Sequence, residues 1–212
     1  MKLIIFIHTC AAYEETRAKL LEQSWALTNT DIVFITDNPN SKLLNKIYIG
    51  NYNKGATYHP STVKKIIDIW LTNYADYDWF FFVDDDSYVF VDKLKHFLSS
   101  LNPNDFLMVG DVLNWIRIDP GHWNPDKEWW IGGGSGIVFT KSCLQELKRI
   151  YTTTQIKISN HDVWLHDMYL RSTIIKRVHC PGFYQYPFMA TDDLISIHLN
   201  HDMNLLKNYP RS

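Results

Sequence analysis

Three adjacent carboxylates, Asp84, Asp85 and Asp86, stand directly behind the apolar run 79–83, Trp-Phe-Phe-Phe-Val. A run of that length and composition predicts a strand buried on both faces, at the centre of a sheet. Carboxylates side by side repel one another, so at the end of a buried strand they require a cation or a wet cleft. Hard oxygen ligands suit Mg2+ or Mn2+, ions usually shared with substrate phosphates rather than enclosed by protein alone. The carboxyl edge of the strands in an open α/β sheet is also where ligands bind. The competing reading is a solvated acidic turn, because Asp favours turns through local hydrogen bonds.

Other residues of interest follow. Gly132-Gly133-Gly134-Ser135-Gly136 precedes a strand; it lacks the G-x-G-x-x-G spacing and the strand-to-helix context of a dinucleotide fingerprint. As a local feature it is a glycine turn. Trp115, Trp123, Trp129 and Trp130 crowd the segment 111–130. That segment predicts irregular structure or a small hairpin over the sheet edge, with one or two indoles facing a ligand and the rest packed inside. His198 sits in the apolar alternation 195–199, where position alone makes an imidazole a satisfied core residue. Asp162 and His166 share one helix face four residues apart, a metal-pair spacing for which the sequence supplies no further ligands.

Strands and helices alternate along the chain. Strands are predicted over 2–8, 31–36, 46–49, 79–83, 105–110 and 137–140. Helices are predicted over 13–27, 61–74, 91–101, 141–151 and 161–171. Pro60 precedes the second helix, with Ser61 as its N-cap, and the tail from Thr173 mixes short strands with loops. This order predicts an α/β fold with a mostly parallel, doubly wound sheet.

Composition narrows the function. At 212 residues the chain suffices for one domain with a substantial core. A net charge of −2 supplies no basic field for nucleic acid. Aromatic content of 15% exceeds what a core alone needs and fits a surface that grips flat ligands. Cys10, Cys143 and Cys180 form neither a disulfide framework nor a zinc pattern, which predicts reduced thiols and a cytoplasmic setting. The apolar start, residues 1–8, is too short for a signal peptide and predicts a first strand. No apolar run reaches the roughly 18 residues needed to span a bilayer.

Several motifs occur in one order. Arg17 is followed by Ser24-Trp25, then Phe34-Ile35-Thr36-Asp37, Lys64 on a helix, and the block 79–89. After these come Gly133-Gly134-Ser135-Gly136, His161-Asp162-Val163 and Ile195-Ser196-Ile197-His198. Together they resemble the Fringe-like β-1,3-glycosyltransferases and their core-1 galactosyltransferase relatives, over nearly the whole chain. The resemblance implies a single GT-A, Rossmann-like domain over 1–212, with a mostly parallel mixed sheet flanked by helices. It also implies a Mn2+- or Mg2+-dependent transfer of a hexose or deoxyhexose from a UDP-sugar to a glycan or glycoprotein.

In that frame Asp86 and His198 hold the metal, with Asp84 near the ribose or on the metal through water. Thr9, Arg17, Asp37, Lys64, Asp84, Asp85, Gly133, Gly134 and Ser135 contact the donor. Asp37 accepts from uracil or ribose, or simply caps a turn. Arg17 and Lys64 pair with donor phosphate or the acidic cluster, or stay solvated. The glycines let the backbone approach the donor sugar, with Ser135 Oγ presented to it. Asp162 is the general base of an inverting transfer, or a dipole partner in a first helical turn. Trp115, Trp130 and His161 face the acceptor.

Set against the eukaryotic Golgi enzymes of that family, the sequence leads us to expect a form without their anchor, stem and paired cysteines. His161 replaces an acidic residue, and His166 a glycine. Small transferases of this kind in bacteria and large DNA viruses suggest a capsid or envelope glycan as acceptor, and the host cytoplasm as location if viral. Two other classes remain: a Ca2+-dependent carbohydrate-binding module and a metal-dependent phosphohydrolase.

Overall fold

The computed structural model describes residues 1–27, 31–50, 60–113, 130–154, 161–187 and 192–209. Trp115, Trp123 and Trp129 lie outside the described residues, as does the side chain of His161.

Seven strands form the main sheet, in the order β10-β6-β9-β4-β1-β2-β3. They are β1 (Leu3–His8), β2 (Ile32–Thr36), β3 (Lys46–Tyr48), β4 (Trp79–Asp84), β6 (Leu107–Gly110), β9 (Ile137–Thr140) and β10 (Lys176–His179). All run parallel except β9, which is antiparallel to both β4 and β6. A second sheet joins β11 (Phe183–Tyr184), β12 (Ser196–His198) and β5 (Ser87–Val89). A two-stranded ribbon pairs β7 (Val112–Leu113) with β8 (Trp130–Ile131); the segment between them, where irregular structure or a small hairpin is expected, lies outside the described residues.

Side-chain alternation splits the apolar run of β4 between two cores. Trp79, Phe81 and Val83 face one side with Leu3, Ile5 and Ile7, under Leu21, Trp25, Leu94 and the second sheet. Phe80 and Phe82 face the other with Ile4 and Phe6. That side is covered by α2 (Pro60–Asn73), α4 (Lys141–Thr153) and α5 (His161–Arg171). Helix α3 (Val91–Leu98) lies on the first face, burying Val91, Leu94 and Leu98. The expected double winding is therefore present.

Two local expectations need correction. The helix expected over 13–27 is a π-helical turn (Glu14–Ala18) followed by the short α1 (Lys19–Glu22). Its buried Glu14 accepts from Asn38 Nδ2 and from the Lys42 amide, and Ser24 Oγ donates to the Leu21 carbonyl. Both contacts draw the chain out of regular α geometry. Ser61 is not a cap: α2 already begins at Pro60, whose missing N–H suits the first helical position. Strand β9 runs against its neighbours because the chain enters it from the glycine turn at the carboxyl edge, which makes the mostly parallel sheet a mixed one, as expected.

Candidate active site

The parallel strands β1, β2, β4 and β6 end on one edge of the sheet. His8 closes β1 in register with Asp84, the last residue of β4. Beyond Asp84 the chain turns into β5, and the next two carboxylates are drawn to different partners.

Asp85 is buried against the end of β1. Thr9 Oγ1 donates to its Oδ2 at 2.6 Å, and Arg17 Nη1 stands 3.4 Å from Oδ1. Burial pushes the Asp85 pKa up to about 6; the Asp86 charge adds to the rise, while Thr9 and Arg17 oppose it. Asp86 is 1% exposed. His198 Nε2 lies 3.3 Å from its Oδ1, His201 Nδ1 2.5 Å from its Oδ2, and Arg17 Nη1 3.2 Å from the same Oδ2. Burial alone would raise the Asp86 pKa, but hydrogen bonding and charge from His198, with Arg17 and His201, bring it below the ordinary value. His198 shifts upward in turn: its burial acts against the charge, and the bond to Asp86 outweighs it.

These ligand atoms of Asp86, His198 and His201 all lie within 4.8 Å of one another. The donor set is one carboxylate and two imidazoles, which fits a first-row transition metal. His198 is oriented for ligation, since its Nδ1 meets the Gln185 carbonyl at 3.3 Å and leaves Nε2 facing Asp86. Asp84 is close enough for its charge to raise the His198 pKa.

Arg17 occupies a position consistent with its expected pairing to the acidic cluster, stacked on the Tyr13 ring at 3.8 Å from its centroid. Asp37 lies at the same edge, where its Oδ1 accepts from the Ala11 amide at 2.7 Å and orders the loop after β1. The Cys10 thiol is held above its ordinary pKa by burial first, then by the charges of Asp85 and Asp37.

Lys64 does not meet the acidic cluster among the described contacts. It lies on the α2–α4–α5 face, with Nζ 5.4 Å from the Tyr151 ring centre and 5.7 Å from that of Trp164. The helix carrying it covers the opposite core from α1, so its charge is directed to those rings.

The glycine turn differs from the donor-facing loop expected of it. Ser135 is fully buried, and its Oγ is bonded by Gln185 Nε2 while its amide donates to Gln185 Oε1. Ser196 Oγ donates to the Ser135 carbonyl at 2.6 Å, and Ser87 Oγ to the Gly134 carbonyl at 2.7 Å. A Cβ at Gly134 would sit 2.7 Å from His198 Nδ1. Gly134 thus makes room for the imidazole, and the turn as a whole is a seat for His198. Gly133 lies in the same turn, with its carbonyl accepting from the Gly136 amide.

Asp162 opens α5, where its Oδ1 accepts from the Val163 amide. Helix α5 packs on β8, which leads into the glycine turn. Trp130 is half-buried in β8. His201 and Gln185 were missed by sequence reasoning. The spacing His198-x-x-His201 behind Asn200 was a signal for the first, whereas nothing local marks Gln185.

The model of the Fringe-like family matches residues 1–191. The chain belongs to the Fringe-like family. The match ends before His198 and His201, so their assignment rests on geometry. Over 219 aligned residues this Fringe-like chain is 21% identical to the β-1,3-glucosyltransferase of Mus musculus, covering 98% of the chain and 42% of that enzyme. The chain thus spans about two fifths of the length of such relatives.

Two solved structures share its fold. One is a glycosyltransferase involved in glycosylation of the major capsid of PBCV-1 (TM-score 0.52, 14% identity, 94% of each chain). The other is the galactosyltransferase LgtC with donor and acceptor sugar analogs (TM-score 0.51, 13% identity, 92% of this chain and 86% of that one). The fold is that of the GT-A glycosyltransferases.

Proposed function

We propose that this Fringe-like chain is a metal-dependent glycosyltransferase that moves a hexose or deoxyhexose from a UDP-sugar to a glycan or glycoprotein. The observation that carries this reading is the buried Asp86, held by His198 at the carboxyl edge of the central strand. Asp86 and His198 would hold Mn2+ or Mg2+, with Asp84 beside them. The ion would supply Lewis-acid neutralisation of the donor diphosphate. Arg17 would turn from the carboxylates to donor phosphate, and Asp37 would face the nucleoside. Thr9 and Asp85 brace that edge from below.

In the transfer itself, Asp162 accepts the proton of the acceptor hydroxyl as its oxygen attacks the anomeric carbon. The bond between that carbon and the phosphate oxygen breaks, and UDP leaves with the electron pair, which inverts the centre. Trp115, Trp130 and His161 are the residues we assign to the acceptor. A capsid or envelope glycan is the acceptor we favour, by analogy with the PBCV-1 capsid enzyme. Among the described residues no helix is long and apolar enough to cross a membrane, and we place the reaction in the cytoplasm, within one domain over 1–212.

Neither rival class fits as well. A Ca2+-dependent module calls for six to eight oxygen ligands, whereas two imidazoles flank Asp86. A two-metal phosphohydrolase needs a second ligand cluster, and among the described residues Asp86, His198 and His201 form the one such group. The test is calorimetric titration of UDP with and without Mn2+. Asp86→Ala is expected to lose most UDP affinity and its Mn2+ dependence while remaining folded. Unchanged, Mn2+-dependent UDP binding in that variant would place the site elsewhere.

A further inference from the structure

We propose that His201 is a third protein ligand of the metal, and that Asp86, His198 and His201 hold a transition-metal ion before any nucleotide arrives. The inference rests on the reading of Asp86 and His198 as metal ligands, and goes beyond it in ligand set, metal class and order of binding. His201 Nδ1 and His198 Nε2 approach different oxygens of Asp86, at 2.5 and 3.3 Å. Their rings stand nearly perpendicular, at 89°, with centres 5.8 Å apart. One ligand atom from each of the three residues lies within 4.8 Å of the other two, a spacing that a single ion can bridge.

The backbone supports the same conclusion. Asn200 and His201 both have positive φ, at 51° and 67°, and the Asp202 amide donates to the Leu199 carbonyl at 3.0 Å. That is a type I′ turn, whose second central position is ordinarily glycine. A side chain placed there strains the backbone, and such strain marks functional positions. The strain at 201 turns the imidazole back onto Asp86. With its side chain 66% exposed, His201 is also reachable by an arriving ion.

The donor set decides the chemistry. Mg2+ prefers oxygen ligands and depends on substrate phosphates to complete its shell. Two nitrogen donors favour Mn2+, Co2+ or Zn2+ and provide enough protein ligands to retain the ion alone.

The test uses EDTA-treated full-length protein without nucleotide, titrated with MnCl2 and followed by calorimetry and by loss of the free Mn2+ spin-resonance signal. Wild type is expected to bind one Mn2+ per chain, resistant to a large excess of Mg2+. His201→Gly relieves the turn, and His201→Asn tolerates it. Each is expected to remain folded and to lose about 10-fold or more in free Mn2+ affinity. UDP binding in these variants should persist at higher Mn2+. Wild-type Mn2+ affinity in both variants would overturn the proposal, as would a wild type that binds Mn2+ only with UDP, and both outcomes leave Asp86 and His198 as ligands. Mn2+-dependent UDP binding that survives Asp86→Ala would instead remove the reading beneath it.

Discussion

Gly134→Ala separates two roles for the glycine turn. The added Cβ would lie 2.7 Å from His198 Nδ1, 2.8 Å from His198 Cγ and 2.9 Å from Gln185 Oε1. Real contacts at a Cβ essentially never fall below 3.0 Å, so the imidazole or Gln185 must move. Neither moves freely. Gln185 is also bonded to Ser135 and the Gly132 carbonyl, and His198 is pinned between the Gln185 carbonyl and Asp86. Overpacking of this kind costs about 1–3 kcal/mol. Displacing a metal ligand from its support costs roughly 10–100-fold in metal affinity.

Nucleotide-free Gly134→Ala is therefore expected to lose Mn2+ affinity on that scale, by calorimetry, with a modestly lower denaturation midpoint. Gly136→Ala is the control. Its φ is +91° and its Cβ would meet Phe81 at 2.4 Å, so it should lose more stability through backbone strain and core clash. Because it does not touch His198, the variant that remains folded should keep its Mn2+ affinity. If Gly134→Ala binds Mn2+ like wild type and loses only affinity for the donor sugar, the turn serves donor approach and the seat argument fails.

Three further outcomes follow from the electrostatics and from Asp162. Asp86 holds the His198 proton against the effect of burial, so Mn2+ must displace it; affinity measured over about pH 5.5–8.5 should fall as pH drops through the raised His198 pKa. A flat profile would mean His198 is not a ligand. Asp85, raised from 3.8 to about 6, binds its proton more tightly folded than unfolded. Its contribution is thus full below pH 3.8 and lost as pH rises through about 6. Asp85→Asn should flatten that decline in metal-free denaturation curves, by an amount on the order of 1–3 kcal/mol, and an unchanged slope would refute the assignment. Asp162→Asn should leave Mn2+-dependent UDP binding intact while transfer falls roughly 10²–10⁴-fold, the range for a lost general base; near-normal turnover, or a product with retained anomeric configuration, would refute the inverting role.

What was legible in the sequence followed from periodicity and apolar content. The run 79–83 could only be a buried central strand, and β9 and α5 occur at the predicted bounds. The direction of β9 was not legible, because all four of its residues are buried and three of them are apolar whichever way they run; the turn before it decides. The first helix was misjudged because Glu14 reads as a surface residue and is in fact buried against the β2–β3 connection. Asp86 was marked as a candidate by its acidic neighbours at the end of an apolar run. His201 was marked only by its spacing from His198, while its positive φ could not be read from the sequence, and Gln185 acts through contacts some 50 residues distant in sequence.

The division of labour between Asp85 and Asp86 explains why three carboxylates sit together at all. A lone acid at a buried strand end would neutralise itself by taking a proton. Here Arg17 reaches both Asp85 and Asp86, and the two residues then diverge. Asp85 is raised toward neutrality by burial, against the opposing pull of Thr9 and Arg17, and by accepting from Thr9 Oγ1 it ties the end of β1 to the turn after β4. Asp86, facing two imidazoles, has its pKa held below the ordinary value despite its burial. Neighbouring acids whose environments push their pKa values apart are assigned different tasks. On that argument Asp85 suits a brace and Asp86 a proposed ligand, so deleting the Asp86 carboxylate should remove metal binding, whereas deleting that of Asp85 should chiefly loosen the tie between the ends of β1 and β4.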